Sequence, residues 1–300
     1  MLEQIDPFMQ TVFTGVIVGT LTRYYLLRRD YRQYPSYPHG VVANLSLGLI
    51  AAVIGAVAVP ALAEKEFTAV TFLALAATQF REVRNMEREM LLNLDNMQLV
   101  PRGPEYIEGI ARVFESRNYL VMFTALLVGG ATFWGNIFYG VLTGVLAVLL
   151  TGMLMKGKVV GQIANVRRGN VYFDGANLFV DNIHFMNLGS QEVKEIYLKR
   201  ALGVVIEPFN DNGRATLANN GQRMAIAHDA AALLGVYRDV DTAEFMPIVR
   251  RHLDTGRVGL VIVPIEPDVK YLIEAVKRVP VLESALRLPL KNAIGRKAAD

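Results

Sequence analysis

The chain contains no cysteine, which excludes disulfide bonds and thiolate metal sites. It also lacks the Gly-Lys-Ser/Thr of a Walker loop and the Gly-x-Gly-x-x-Gly of a dinucleotide-binding loop, so it carries little signal for a nucleotide. Charge is sparse, because 20% of the 300 residues are charged and 52% are hydrophobic. The charged residues lie between long apolar stretches, as they do in proteins with several membrane helices. We therefore expect a membrane domain and one soluble domain.

Apolar stretches in the first half of the chain predict five membrane-spanning helices, because an α-helix needs ~20 residues to cross the ~30 Å hydrocarbon core. They cover residues 8–27, 41–62 and 67–80, and residues 119–155 as a hairpin of two helices that turns at Gly135-Asn136. The third stretch is short, and we expect it to continue as helix past Arg81. Arg23 falls in the last turn of the first stretch, so we expect its guanidinium to reach the membrane interface.

Basic residues flank the predicted spans on one side of the membrane. Arg28, Arg29 and Arg32 follow the first span, and Lys156 and Lys158 follow the last. Positively charged loops stay in the cytoplasm. With an odd number of spans, the chain is therefore expected to sit in the cytoplasmic membrane with its N-terminus outside and its C-terminal domain in the cytosol.

The predicted architecture is an α-helical polytopic membrane domain of five spans, followed by a cytosolic α/β (or α+β) domain. The membrane domain is residues 1–156, with a cytosolic helical insert at 81–118, and the cytosolic domain is residues 157–300. Short strands with turn signals over 158–187 predict a β-meander at the start of the cytosolic domain. Two similar buried-type strands, 203–209 and 259–265, each precede a helix, which favours a repeated strand–helix unit in one sheet.

A short motif stands in the predicted insert, after a Pro101-Arg102-Gly103-Pro104 break that ends one helix and starts another. Gly109 costs the new helix about 1 kcal/mol of propensity, which close contact with another backbone would explain. We interpret the motif as a packing joint between the inner membrane face and the soluble domain. A general acid or base at Glu108 is the alternative, although no nucleophile or metal-type cluster is nearby. The proposed joint consists of Tyr106, Ile107, Glu108, Gly109, Ile110, Ala111 and Arg112.

Residues 106–111 resemble the motif for which the YIEGIA family is named, and the resemblance extends to residues 215–219, 221–223, 227–229 and 237–245. That family is associated with endospore-forming bacteria and is linked to the spore envelope. The resemblance implies a non-enzymatic protein of spore formation, in the cytoplasmic or forespore membrane, that recruits or organises partners through its cytosolic domain. It implies no catalytic residue and no cofactor.

Polar residues of the second domain form a candidate ligand or partner site. The loop 210–214 follows a buried strand and enters a helix, as does 266–268, so the crevice beyond both strands could hold an anion. A solvated turn with side-chain caps is the alternative. A structural histidine and a charged loop network are the alternatives to catalysis or metal binding, and we expect no metal. The candidates are Arg214, Asn219, Gln222, Arg223, His228, Asp229, Arg238, Asp239 and Asp241.

Expected partners follow from charge and from small residues. Residues 156–300 contain 20 Lys and Arg against 16 Asp and Glu, a mild basic excess that suits an anionic lipid surface. Without a clustered basic face and stacking aromatics, we expect no nucleic acid. Gly15 with Gly19, and Gly140 with Gly144, predict close helix packing, either within one subunit or in a homo-oligomer.

A membrane-tethered enzyme, or a sensor of a nucleotide or metal, is the alternative function.

Overall fold

The computed structural model describes residues 6–30, 38–154, 157–238 and 245–298. The chain divides into two compact units: the first comprises Met1–Arg88 and Ile110–Lys156, and the second comprises Glu89–Gly109 and Gly157–Asp300. The central part of the predicted insert therefore belongs to the second unit. The assignment of the two parts to membrane and cytosol stays a prediction.

Over its described residues, the first unit is built from five helices, and two of them continue into the second unit. Three of these helices begin with a proline. A proline suits the first position of a helix, because the N–H group that it lacks would make no intrahelical hydrogen bond there. The helices are α1 (Pro7–Asp30), α2 (Pro38–Ala63), α3 (Phe67–Asp95), α4 (Pro104–Trp134) and α5 (Ile137–Leu154). The part of α3 after Arg88 and the part of α4 before Ile110 belong to the second unit.

The prediction of five membrane-spanning helices is wrong. Among the described residues, one helix is long and apolar enough to cross a membrane, the segment Gly40–Ala63 of α2, with a mean hydropathy of 2.4. The apolar segment Ile137–Met153 of α5 is shorter than the ~20 residues required. The helices α1, α3 and α4 combine apolar stretches with charged ones, so that apolar runs alone overcount the spans. The predicted orientation depended on the odd count and has lost that support.

Arg23 also departs from its prediction. Its side chain does not reach an interface, because the residue is 1% exposed and its guanidinium donates hydrogen bonds to the side-chain and main-chain oxygens of Asn44 on α2. The small residues of α1 pack within the chain: a Cβ atom on Gly15 or Gly19 would lie 2.7 Å from the Cβ of Ala56 or Ala52, respectively. Gly15 and Gly19 therefore pack against the chain's own helix α2, and self-association stays a prediction.

Two antiparallel sheets form the centre of the second unit. One has four strands in the order β1 (Ala164–Gly169), β5 (Leu202–Pro208), β7 (Val258–Ile262), β6 (Ile248–Arg251). The other has three in chain order, β2 (Val171–Asp174), β3 (Asn177–Val180) and β4 (Ile183–Asn187). The helices of the unit are α6 (Gln191–Arg200), α7 (Asp211–Leu217), α8 (Asn220–Leu234), α9 (Val269–Arg278) and α10 (Ala293–Lys297).

The hydrophobic core of the second unit lies between the two sheets. Val205 of β5 and Val261 of β7 pack against buried residues of β3 and β4 such as Val180 and Phe185. A Cβ on Gly203 of β5 would lie 2.8–2.9 Å from valine side chains of the smaller sheet, so a glycine there allows the sheets to approach. The helix α9 contacts β1 and β5. Consecutive residues of β5 and β7 are buried. Because consecutive side chains point to opposite faces of a sheet, both faces of these strands are covered.

The two strands that suggested a repeated unit are neighbours, but they run in opposite directions. β5 and β7 pair antiparallel, with Val204 opposite Leu260. Because antiparallel strands end at opposite edges of a sheet, the loops that follow them do not share one crevice. The prediction of a common site for residues 210–214 and 266–268 is therefore wrong.

Candidate functional site

The turn between α3 and α4 is closed by a buried carboxylate. Asp95, the last residue of α3, accepts hydrogen bonds from the backbone N–H groups of Arg102 (2.7 Å) and Gly103 (2.9 Å), and it is 4% exposed. Gly103 has a φ of +83°, a conformation that glycine adopts without strain. The Asp95 carboxylate therefore satisfies the two N–H groups between Pro101 and Pro104, which themselves have none to donate.

The first turns of α4 contain the motif and are almost completely buried. Tyr106 and Ile107 are each 1% exposed, and Ile110 and Ala111 are buried as well. Glu108 is half-buried, and Arg112 is exposed. The motif thus places its apolar residues inside and its charges towards the rim, which is the pattern of a packing surface.

Two glycines bring the start of α4 close to other parts of the second unit. A Cβ on Gly109 would lie 2.5 Å from the Ser284 Oγ, and a Cβ on Gly221 of α8 would lie 3.0 Å from the main-chain oxygen of Glu105. The close neighbour of Gly109 is therefore a side-chain hydroxyl and not the backbone that was predicted there. A close backbone contact is made instead by Gly221, for which none was predicted. Close approach of this kind leaves no room for a larger side chain.

Two candidate polar residues hold the peptide groups that precede the motif. The His228 Nδ1–H donates to the main-chain oxygen of Val100 (2.7 Å), and Arg238 donates through Nη1 to that of Leu99 (2.6 Å). Burial lowers the pKa of His228, and the Arg102 charge lowers it further, against the opposing effect of the hydrogen bond to Val100. The imidazole is therefore expected to be neutral and to serve as a hydrogen-bond donor to the backbone.

Asp229 and Tyr106 share a buried polar environment with Arg102. Burial raises the pKa of Asp229 to about 6, and the Arg102 charge opposes that rise. Burial also raises the pKa of Tyr106 above its ordinary value, and the charge of Asp229 adds to the rise. The phenol therefore stays protonated at any physiological pH and can donate a hydrogen bond.

The start of α8 anchors the segment that follows α9. The side chain of Asn219 caps α8 by accepting from the Gln222 N–H (3.0 Å). Gln222 is fully buried; its Nε2 donates to the Pro280 oxygen (3.1 Å) and its Oε1 accepts from the Leu282 N–H (2.8 Å). These side chains satisfy backbone groups that burial would otherwise leave unpaired.

Arg223 also bonds within its own neighbourhood. It donates to the Ala218 oxygen (2.9 Å) and to the Asn220 Oδ1 (3.2 Å). Burial lowers the pKa of Arg223 from its ordinary value, with further lowering by the charges of Arg251 and Arg250 and opposition from Glu105. The candidate residues of α8 and its cap are thus engaged in local structure.

Arg214 lies in a different part of the second unit, at a polar cavity of about 370 Å³. Glu207, Asp211 and Arg257 also line this cavity. The Arg214 Nη1 lies 3.5 Å from the Asp211 Oδ1, and the Arg257 Nε lies 3.4 Å from the Glu207 Oε1. Each cation is therefore matched by a carboxylate, which reduces the attraction of the cavity for a phosphate.

The nine candidate residues do not form one site. Asp229 and His228 come together with Tyr106 and Arg102, whereas Arg214 stands apart at its cavity, and Asp239 and Asp241 lie outside the described residues. In the part of the chain that the structure describes, no three His, Asp or Glu side chains are grouped closely enough to hold a metal ion. Sequence reasoning missed Asp95 and Ser284. The available signal for Asp95 was the Pro101-Arg102-Gly103-Pro104 break, because it leaves two backbone N–H groups that need an acceptor outside a helix.

These features define a class of protein: a helical unit with, in its described residues, one membrane-length helix; a mixed α/β unit with antiparallel sheets; and a motif helix whose first turns are buried in the α/β unit. The family model described as "YIEGIA protein" matches residues 11–292, so the chain belongs to the YIEGIA family. An uncharacterized protein of Bacillus subtilis, YphB, is 48% identical over 285 residues, which are 95% of this chain and 96% of that protein. No solved structure matches the chain significantly.

Proposed function

We propose that this protein is a non-enzymatic assembly protein, attached to a membrane, that recruits or organises partners through its second unit during spore formation. The observation that supports the proposal is the use made of the polar candidate residues. His228, Arg238 and Gln222 all form hydrogen bonds with main-chain groups, and so hold the chain in place. In an active site, such side chains would instead point towards a substrate. The link to spore formation comes from the family resemblance.

Membrane attachment has two sources of support. The first is the membrane-length helix Gly40–Ala63. The second is the apolar surface of α5, where Phe138 is 71%, Leu150 59% and Met153 66% exposed. Soluble proteins rarely expose contiguous apolar surfaces of this kind. We place the second unit at the cytosolic face because its basic excess suits anionic lipid, and a reporter fused after Asp300 would read that side.

Deletion of the gene in an endospore-forming host tests the proposed role. We expect the yield of heat-resistant spores to fall at least tenfold and to recover with the wild-type gene. Because the proposal needs no ligand at the cavity, the gene carrying Arg214→Ala should restore the spores equally well. A deletion strain with normal spores would overturn the proposal, and failure of Arg214→Ala alone would favour ligand sensing.

Ligand sensing is the second candidate function, and the cavity at Arg214 is the observation in its favour. Binding raises the melting temperature of a folded protein by mass action. If the cavity binds a nucleotide, purified full-length protein should melt several degrees higher in its presence, and Arg214→Ala should remove the shift. An unchanged melting temperature across a panel of nucleotides and divalent cations would count against sensing.

A further inference from the structure

Four helices of the first unit bury polar side chains among apolar ones. Arg23 of α1 is 1% exposed, Asn44 of α2 2%, Glu87 of α3 7% and Asn118 of α4 0%. Proteins bury charged groups only where a partner or a function compensates for the lost hydration. This cluster has no part in the function proposed above, so it calls for its own explanation.

Residues of α2 and α4 contact the Arg23 side chain closely. Its guanidinium donates to both oxygens of Asn44, and its Cζ lies 5.5 Å from the centre of the Phe114 ring on α4. Any side chain at Gly48 of α2 would collide with Arg23. The Phe114 ring contacts the buried guanidinium, and Gly48 leaves space for the arginine side chain. These contacts fix the position of Arg23 between the helices.

The charge of this arginine acts on Glu87, and one oxygen of the Glu87 carboxyl group lacks the hydrogen bond that an ionised carboxylate needs. The Glu87 Oε1 is buried without a hydrogen-bond partner among the described residues, and so are both amide atoms of Asn118. Phe114 and Asn118 are one helical turn apart, so they lie on the same face of α4. Groups left in this state are unusual in folded proteins and often mark a site that changes its protonation.

The other charges near Glu87 leave Arg23 as its counter-ion. On α3 itself, Arg84 lies 3.4 Å from Glu115 of α4, and Arg88 follows Glu87. From α4, Arg117 is also buried. Among these groups, Arg23 is the one whose charge acts on the Glu87 carboxyl; burial raises the pKa of that carboxyl from 4.5 to about 7, and Arg23 opposes the rise.

We propose that Glu87 is a protonation switch inside the first unit, which takes up a proton from the solvent to become a neutral acid and releases it to become the charged partner of Arg23. In the ionised state, the Glu87–Arg23 pair links α3 to α1. In the protonated state, Glu87 is neutral, so Arg23 no longer has a negative charge beside it and keeps only its hydrogen bonds to Asn44. The ligand of the site is the proton, and the change in charge occurs close to neutral pH.

The sign of the pH dependence follows from the balance between burial and attraction. Because the Glu87 pKa is higher in the folded protein than in the unfolded chain, folding favours the protonated form. The contribution of Glu87 to stability is therefore fully present below about pH 4.5 and is lost as the pH rises through about 7. The cost of burying the carboxylate thus exceeds the attraction of Arg23.

Thermal melting of the full-length protein between pH 5 and pH 8.5, followed by helical circular dichroism, tests the switch. We expect the melting temperature of the wild type to fall by several degrees relative to Glu87→Gln as the pH rises from 5 to about 7, and the difference to stay constant at higher pH. Glu82→Gln, at an exposed position of the same helix, should follow the wild type at every pH. A difference between the wild type and Glu87→Gln that is constant over the whole pH range would overturn the proposal.

Infrared spectroscopy keeps the proposal testable if Glu87→Gln does not fold. A buried, protonated carboxyl group has a separate C=O stretching band, which the wild-type protein should lose as the pH is raised through about 7. Glu87→Asp should shift the frequency of that band. The absence of a titrating band in the wild type would contradict the switch.

Discussion

Tyr106→Ala is expected to lower the free energy of unfolding of the second unit by about 3–5 kcal/mol, as other deletions of buried aromatic rings do. Tyr106 is 1% exposed, and its ring lies beside the Asp229 carboxyl and the Arg102 guanidinium. The truncation removes the ring's contacts and leaves a cavity next to groups that already lack water. Amide hydrogen exchange of the full-length protein measures the effect, because the most protected amides of α8 report the opening of this unit.

Tyr106→Phe is the matched control for that change. It keeps the ring and removes the hydroxyl, so it should cost only about 0.5–1.5 kcal/mol, the net value of one hydrogen bond. If the two variants lose the same stability, the ring does not act as a packing element. If neither loses stability, the motif is not buried in solution.

Gly109→Leu is expected to destabilise the second unit by about 1–3 kcal/mol or more, because extra atoms in a packed interior force neighbouring groups apart. A Cβ at this position already meets the Ser284 Oγ, and a leucine adds three further carbons to it. The control is Gly189→Leu, since a Cβ on Gly189 would meet nothing within 4 Å. That variant should stay within about 0.5 kcal/mol of the wild type. Equal stability for the two variants would contradict a close contact at Gly109.

Parts of the fold could be read from local sequence. The turn at Gly135-Asn136 falls between α4 and α5, and the helix break before Pro104 lies where the prolines indicated it. The strands β2, β3 and β4 are bounded by Gly and Asn residues that favour turns. Such features depend on a few neighbouring residues, and that information is present in the chain itself.

Other parts depend on contacts that no local pattern carries. Hydropathy counts apolar residues without saying which face of a helix they occupy, so the stretches in α1, α3 and α4 were overcounted as spans. Arg23 looked like an interfacial residue because it ends an apolar run, but its side chain points inward to Asn44. The directions of β5 and β7 are equally absent from their similar sequences, since a buried strand reads the same in parallel and antiparallel sheets.

The candidate site shows the same division. The caps Asn219 and Asn210 follow from well-known preferences at helix starts. The packing of the motif against α8, which lies more than a hundred residues later in the chain, does not follow from such local preferences. The hydrogen bond from His228 to the Val100 oxygen does not follow from them either. Sequence reasoning therefore collected His228 and Asp229 as a potential ligand site, whereas the structure places them around the motif helix.

A double-mutant cycle between Gly109 and Ser284 tests most directly whether the motif is a packing joint. Gly109→Ala alone should destabilise the second unit through the contact with the Ser284 Oγ, although alanine by itself favours a helix by about 1 kcal/mol. In a Ser284→Ala background, where the remaining Cβ lies 3.5 Å away, the same change should become neutral or stabilising. The account predicts a coupling of at least about 1 kcal/mol, measured by hydrogen exchange. Additive effects, within about 0.3–0.5 kcal/mol, would contradict it.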